Sequence, residues 1–407
     1  MRIKMAGRLV ITKEKEKIIT SLFEGNDLIE VSCEEQDESI ISNIYIGKVQ
    51  NILGNISSAF IDIGIGVMCY YSLKENKTPI YASPKNTDKL AIGDEIVVQV
   101  TKEATKSKGP SLTSNLNIQG KYCVLTYGKA FIGVSSKIQS DMLRSKFRDI
   151  AMEYLTGEYG FIIRTNAQYA DEETVREEIL QLIQRFKQIK ENSQYRNCFQ
   201  ILEKAPNNFL TNIRNCNITM LDEILVEDQD LYDDIYNFLE QHQKEDLKKL
   251  RLYQDPLVSL SKVYGIESKL EKVLRPKVWL NSGAYLVIQP TEAFHVIDVN
   301  SGKFSGKKNV EDTFLKINVE AAVDIAKQIR LRNLSGIILV DFIDMEREEN
   351  KEYLLKVLQK EVHKDPLKTT VMGMSRLNIV ELTRKKMRPP IYEQLGSICP
   401  YCGQDMS

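Results

Sequence analysis

Between residues 284 and 345, two segments of period two flank one of helical period, and this block predicts the most defined part of the fold. Tyr285 to Ile288 and Ala293 to Val299 lie either side of a Pro-Thr-Glu turn, which predicts a hairpin. Alternation places Asp298 and Asn300, at the end of its second strand, on one face. From Glu311 to Arg332 the residues Phe314, Ile317, Val319, Ala322, Ile325, Ala326 and Ile329 recur at helical spacing, predicting a helix that ends before Gly336. The unbroken apolar run Ile337 to Val340 predicts a strand buried on both faces, and it hands over to Asp341 and Asp344. Asp298 and Asp341 should then meet at one sheet edge.

Arg8 to Thr12, Glu16 to Phe23 and Leu28 to Ser32 predict strands, too few to bury a core alone. From Ile44 to Leu116, short β-rich runs separated by Gly, Asn and Lys-rich turns have the spacing of a small closed barrel. Residues 120 to about 210 predict another unit, with strands at Tyr122 to Thr126 and Phe161 to Arg164 and an amphipathic helix from Glu172 to Lys190. Ser259 to Lys277 reads as helical and closed by Pro276. After Met345 come a helix from Glu349 to His363, a strand from Thr369 to Met374 and a basic helical segment to Met387, broken by Pro389-Pro390. The chain ends on a single C-x-x-C, Cys399 and Cys402.

At 407 residues the chain should hold two or three domains, and 43% hydrophobic residues mark it as globular. With no run of 18 apolar residues and no signal-peptide core, a cytoplasmic protein without a membrane span is expected. Seven cysteines without an even framework fit a reducing compartment. The net charge of −1 hides local runs. Arg376, Arg384, Lys385, Lys386 and Arg388 stand against the single acid Glu381, whereas Asp222 to Asp234 is acidic and reads as a solvated helix face. Three scattered histidines, with His295 in mid-strand, disfavour a metal-free acid-base ribonuclease. No phosphate-loop spacing occurs, which disfavours nucleotide hydrolysis.

Two carboxylates and an amide oxygen, from Asp298, Asp341 and Asn300, are hard ligands suited to Mg²⁺ and phosphoryl chemistry. A plainer reading fits the same residues: Asp344 caps the helix starting near Glu346, and Asn300-Ser301-Gly302 is a turn. In the barrel, Phe60, Tyr70 and Tyr71 beside Lys102, Lys106 and Lys108 supply either base-stacking surface and phosphate contacts or simply a barrel core. Arg164 and Thr165, at a strand end, are good phosphate ligands. Cys399 and Cys402 make half a zinc site, to be completed by a second chain or by Cys198 and Cys216.

In sequence order, NIYIGKV, SAFIDIG, GFIIRT, VIDVNSG, NVEAAVDIAKQIRLRNLSGIILVDFIDM, SRLNIVELTRKK and CPYC resemble the ribonuclease E/G endoribonucleases of bacterial RNA processing and decay over nearly the whole chain. The resemblance implies a multidomain α/β protein with an inserted all-β OB-fold barrel. Residues 1–40 and 211–275 would form an RNase H-like subdomain, 41–118 the OB-fold, 119–210 a 5′-phosphate sensor, 276–398 a DNase I-like catalytic domain, and 399–407 a zinc link. It further implies Mg²⁺ held by Asp298 and Asp341, with Asn300 positioning them; RNA on Phe60, Tyr70 and Lys108; and a 5′-monophosphate on Arg164, Thr165 and Lys368. A Zn²⁺ shared through Cys399 and Cys402 would join two chains, and dimers rather than tetramers are expected because the usual small C-terminal domain is missing. The implied activity is cleavage of single-stranded RNA to 5′-phosphate and 3′-hydroxyl ends, with preference for 5′-monophosphorylated ends. The alternative is a non-catalytic RNA-binding scaffold of the same fold. Three departures from the family pattern stand out: Tyr70 for Phe, Lys368 for a sensor arginine, and Leu377-Asn378 for Phe-Gly after Ser-Arg.

Overall fold

The computed structural model describes the chain except residues 1–6, 15, 36–38, 84, 86, 88, 105–107, 217–220, 303–309 and 397–407. The fold is mixed α/β and divides into two compact units. Unit 1 comprises residues 1–36, 220–236 and 248–407; unit 2 comprises 37–219 and 237–247.

In unit 1 the N-terminal strands Gly7–Glu14, Lys17–Glu24 and Asp27–Glu35 form an antiparallel meander. The sheet is completed by strands far away in sequence, since Gly7–Glu14 pairs in parallel with Glu223–Val226, which pairs in turn with Leu250–Leu252. The acidic run from Asp222 is therefore half strand, with Ile224 and Val226 buried, and only from Gln229 a helix. Where one helix is expected between Ser259 and Lys277 there are two, Leu260–Tyr264 and Ile266–Leu274, broken at Gly265 with φ +58°. A left-handed residue cannot continue a right-handed helix, and glycine adopts that conformation at no steric cost.

The second sheet of unit 1 has six strands, in the order Lys277–Trp279, Tyr285–Pro290, Phe294–Asn300, Gly336–Asp341, Ile379–Arg384 and Thr369–Met374. Helices Val310–Leu331 and Glu348–Val362 cover one face of it. Ile317, Ala321, Ala322, Ile325 and Ile329 are buried along the first helix, each large aliphatic side chain contributing roughly 1.5–3 kcal/mol by leaving water. That helix ends in a Schellman motif, Asn333 taking φ +52° while the Leu334 and Asn333 amides donate to the Ile329 and Arg330 carbonyls at 3.0 and 3.2 Å.

Two expectations fail in this sheet. Gly336–Asp341 is not buried on both faces: Ile338 and Val340 point into the core, but Ile337 is 50% exposed, because the helices cover only one side. The basic segment after Met374 is not helical but an antiparallel strand, Ile379–Arg384. Its period-two alternation, with Val380, Leu382 and Arg384 buried between exposed Glu381 and Thr383, overrides the helical preference of its basic residues.

Unit 2 contains a closed five-stranded, OB-like barrel. Strand Ile44–Leu53 pairs with Ser58–Asp62, followed by Cys69–Ser72, Ser111–Thr113 and Glu95–Lys102, which pairs back onto Ile44–Leu53. A separate four-stranded sheet, ordered Asn117–Gln119, Cys123–Tyr127, Tyr159–Ile163 and Ile132–Val134, packs on helices Asp141–Glu153 and Glu172–Asn192.

Candidate functional site

The uncovered face of the six-stranded sheet carries the acids. Phe294–Asn300 alternates strictly, sending His295, Ile297 and Val299 inward and leaving Val296, Asp298 and Asn300 on the open side. The adjoining strand pairs in parallel with register Asp298 to Asp341, so the two carboxylates project side by side from strands about 4.8 Å apart. Asn300 Nδ2 donates to Asp298 Oδ2 at 2.7 Å. Asn300 therefore belongs to the strand and orients a carboxylate; the turn follows at Gly302, with φ +62°, where a Cβ would come within 2.4 Å of the Gly283 carbonyl.

Asp344 does not cap the following helix. The cap residue of Glu348–Val362 is Arg347, whose side chain makes no capping bond. Instead Glu311, from the start of the neighbouring helix, accepts from the Glu346 and Arg347 amides at 3.1 Å and from Asn350 Nδ2 at 2.9 Å. These bonds hold the Glu311 carboxyl below its usual range. A second anchor is Asn318, wholly buried in mid-helix, which donates to the Ile343 carbonyl at 2.8 Å and accepts from the Ile343 amide at 3.1 Å. The loop after Asp341 is thus fixed by two side chains of one helix. Asp344 is left facing the site, where it accepts from Asn378 Nδ2 at 3.1 Å. Asn378 takes φ +61°, in the left-handed region that Asn tolerates better than most residues, and its side chain supplies the donor.

Burial first, then the charges of Asp298 and Asp344, push the Asp341 carboxyl above its ordinary value. Carboxylates that repel one another across an open polar face fit a hard divalent cation. Among the described residues no group of three His, Cys, Asp or Glu side chains is arranged to hold a metal. Asp298 and Asp341 are the two carboxylates that the strand register sets side by side on this face.

In unit 2 the barrel aromatics separate by role. Tyr71 is fully buried, its hydroxyl 2.7 Å from Ser114 Oγ, and is core. Phe60 and Tyr70 are register partners on the outer side, Phe60 half-buried and Tyr70 41% exposed. The Tyr70 amide donates to the Pro110 carbonyl at 2.7 Å, which draws the segment carrying the exposed Lys108 beside it. Lys106 lies outside the described residues.

Arg164 follows strand Tyr159–Ile163 and donates to the Gly120 carbonyl at 2.6 Å and to Asn215 Oδ1 at 2.5 Å; Thr165 Oγ1 lies 2.9 Å from Ser135 Oγ. Glu178, which sequence reading passed over, organises this region. Its buried carboxylate accepts from the amides of Lys121, Tyr122 and Cys123 at 2.6, 2.7 and 2.7 Å, and a Cβ at Gly120 would stand 2.5 Å from it. Burial raises the Glu178 pKa, and these three bonds and Arg164 oppose the rise. Lys368, the third expected sensor residue, belongs to unit 1 and is exposed. Cys399 and Cys402 lie outside the described residues. Neither Cys198 nor Cys216 is in a disulfide, and burial pushes Cys198 up to about 11, so it is a poor thiolate donor.

Residues 117–387 match the sequence model of the ribonuclease E/G family. Across 418 aligned positions the chain is 31% identical to ribonuclease G of Escherichia coli strain K12, covering 98% of this chain and 83% of that protein. It is 33% identical to ribonuclease G of Haemophilus influenzae over 399 positions, covering 94% and 80% of the two chains. Against ribonuclease E of Nostoc sp. it is 32% identical over 373 positions, covering 89% of this chain and 54% of the longer relative.

Proposed function

The chain belongs to the ribonuclease E/G family, and on that premise we propose that it cleaves single-stranded RNA with Mg²⁺ on the open face of the six-stranded sheet, leaving 5′-phosphate and 3′-hydroxyl ends. It is an endoribonuclease, a hydrolase acting on RNA, rather than a scaffold without chemistry. The observation that carries the reading is the side-by-side register of Asp298 and Asp341, with Asn300 hydrogen-bonded to Asp298. Asp298 and Asp341 would hold the metal, which when bound activates water and neutralises charge at the phosphate. Asn300, through its bond to Asp298 Oδ2, would hold that carboxylate in place for the metal. Glu311 and Asn318 fix the loop that follows Asp341. Attack by water with departure of the 3′ oxygen gives the proposed ends, and three histidines scattered through the sequence offer no acid-base pair for attack by the ribose hydroxyl.

The 5′ end would be read by Arg164 and Thr165. Phe60 and Tyr70 would stack on bases and Lys108 meet phosphate. We assign residues 1–40 with 211–275 to an RNase H-like subdomain, 119–210 to the sensor and 276–398 to a DNase I-like catalytic domain. Cys399 and Cys402 would share one Zn²⁺ with a second chain, a reading checked by one zinc per two chains and monomers on chelation. Partners beyond RNA and a second copy are not assigned, and a cytoplasmic setting remains part of the proposal; among the described residues no helix is long and apolar enough to cross a membrane. The deciding experiment compares cleavage of one A/U-rich strand carrying a 5′-monophosphate, triphosphate or hydroxyl, and maps the product ends. Faster cleavage of the monophosphate and 5′-phosphorylated products support the reading. Equal rates on all three remove the sensor, and cyclic phosphate products remove the metal-activated water.

A further inference from the structure

The open face that carries the acids also carries an aromatic pair. On the edge strand, Lys277 and Trp279 are two residues apart and share a face; Trp279 is the register partner of Tyr285, and Tyr285 of Asn300. The next row across the sheet runs Lys277, Val287, Asp298, Asp341. Two adjacent rows of one surface therefore lead from the edge strand to the acids, with Trp279 two strands, about 10 Å, from Asn300. The Trp279 and Tyr285 rings lie 5.2 Å apart and tilted, with the Lys277 ammonium 4.1 Å from the first centroid and 3.7 Å from the second. A tryptophan kept for packing hides its ring, yet Trp279, the single tryptophan of the chain, is 64% exposed.

We propose that Trp279 and Tyr285, with Lys277 held against them, form a platform on which the base of a nucleotide beside the scissile bond stacks. The inference rests on the reading of Asp298 and Asp341 as the cleavage centre. An exposed indole stacks on any base, because every base has a π face, and a cation fixed beside it suits the adjoining phosphate. Folded single strands and duplexes, whose bases are already stacked, cannot use such a platform, so it adds selectivity for unpaired RNA at the place of cleavage. The ammonium is fixed by two rings rather than free, so it can meet phosphate with little ordering cost.

Because Trp279 is the lone tryptophan, its fluorescence reads the platform directly. In the Asp341→Asn protein, which should cut RNA at least about a hundredfold more slowly, a saturating single-stranded oligoribonucleotide should quench the emission. A strand of equal length with abasic sites at the positions flanking the cleavage point should leave it close to that of the free protein. In the otherwise native enzyme, Trp279→Ala should raise KM by about tenfold or more, and the penalty should disappear on the abasic substrate; Trp279→Phe should retain most of the function. The proposal is overturned if labelled RNA saturates the protein by anisotropy with no change in emission, or if Trp279→Ala is equally impaired on intact and abasic strands. Emission that changes with protein concentration alone also overturns it, making this face a contact between copies. Should Trp279→Ala fail to fold by circular dichroism, the titration and Trp279→Phe decide. Absence of any cleavage by the native enzyme would refute the catalytic reading instead, and the quenching titration would not depend on it.

Discussion

Replacing Asn318 by Ala tests how the site is held, without touching a group that meets RNA. Asn318 is wholly buried and makes two hydrogen bonds to the Ile343 backbone, one donated at 2.8 Å and one accepted at 3.1 Å, between Asp341 and Asp344. Truncation leaves a partly buried amide and carbonyl without partners, each costing about 1–3 kcal/mol if no water reaches it. Entry of water into the space of the lost amide reduces the sum, so roughly 2–4 kcal/mol is expected. At about 2–4 °C per kcal/mol for a domain of this size, Tm should fall by about 5–15 °C. Phe342 and Met345 stay packed and Glu311 still binds the far end of the loop, so the displacement should be small. Small displacements still matter, since about 1 Å of misplacement can cost on the order of a hundredfold in rate. Thermal unfolding followed by circular dichroism, together with kcat and KM on a 5′-monophosphorylated strand, checks both effects. The expected result is a lower Tm and a kcat at least about tenfold lower, with KM little changed. Native Tm and native kcat together would show that Asn318 does not hold the loop.

Asp341→Asn should raise Tm in chelator at neutral pH, because burial and the two neighbouring acids raise the Asp341 pKa, so its charge costs stability above the folded pKa. That cost vanishes once pH falls below the ordinary value of 3.8, so equal gains at pH 3 and pH 7 would contradict the cause assigned. Arg384→Leu should destabilise by about 3–5 kcal/mol, since it strands Asp365 in a buried pair at 2.7 Å where both residues are about 5% exposed or less. A loss of RNA affinity with unchanged stability would instead show that Arg384 meets RNA and does not hold the fold. Phe60→Ala should weaken RNA binding by about 1–3 kcal/mol with the barrel's β signal intact, and loss of that signal would make Phe60 core.

The block that carries Asp298 and Asp341 was legible because each of its elements has one clear period: strand Phe294–Asn300, helix Val310–Leu331, strand Gly336–Asp341. What stayed hidden depends on pairing between distant segments. Nothing local in Glu223–Val226 announces that it joins the first strand, and an acidic run invites a solvated helix instead. The strand Ile379–Arg384 was obscured by its charges, although its alternation was there to be counted. Glu311, Asn318, Asn378 and Glu178 each bind backbone or an acid at least 25 residues away, so no spacing rule finds them. Trp279 did carry a signal, a lone tryptophan two residues from a lysine at a sheet edge, but its exposure is a property of the fold. Arg384 shows the reverse error, a basic residue whose partner Asp365 and buried position the charge run could not reveal.

The central claim is that Asp298 and Asp341 together hold the Mg²⁺ at which RNA is cut. The most direct measurement is the single-turnover cleavage rate of a 5′-monophosphorylated single strand across a Mg²⁺ titration, for the native enzyme, Asp298→Asn and Asp341→Asn. Activity that requires Mg²⁺, with each variant slower by at least about a hundredfold at saturating metal, is the predicted result. A native rate for Asp341→Asn at saturating Mg²⁺, or full activity of the native enzyme in chelator, would contradict it.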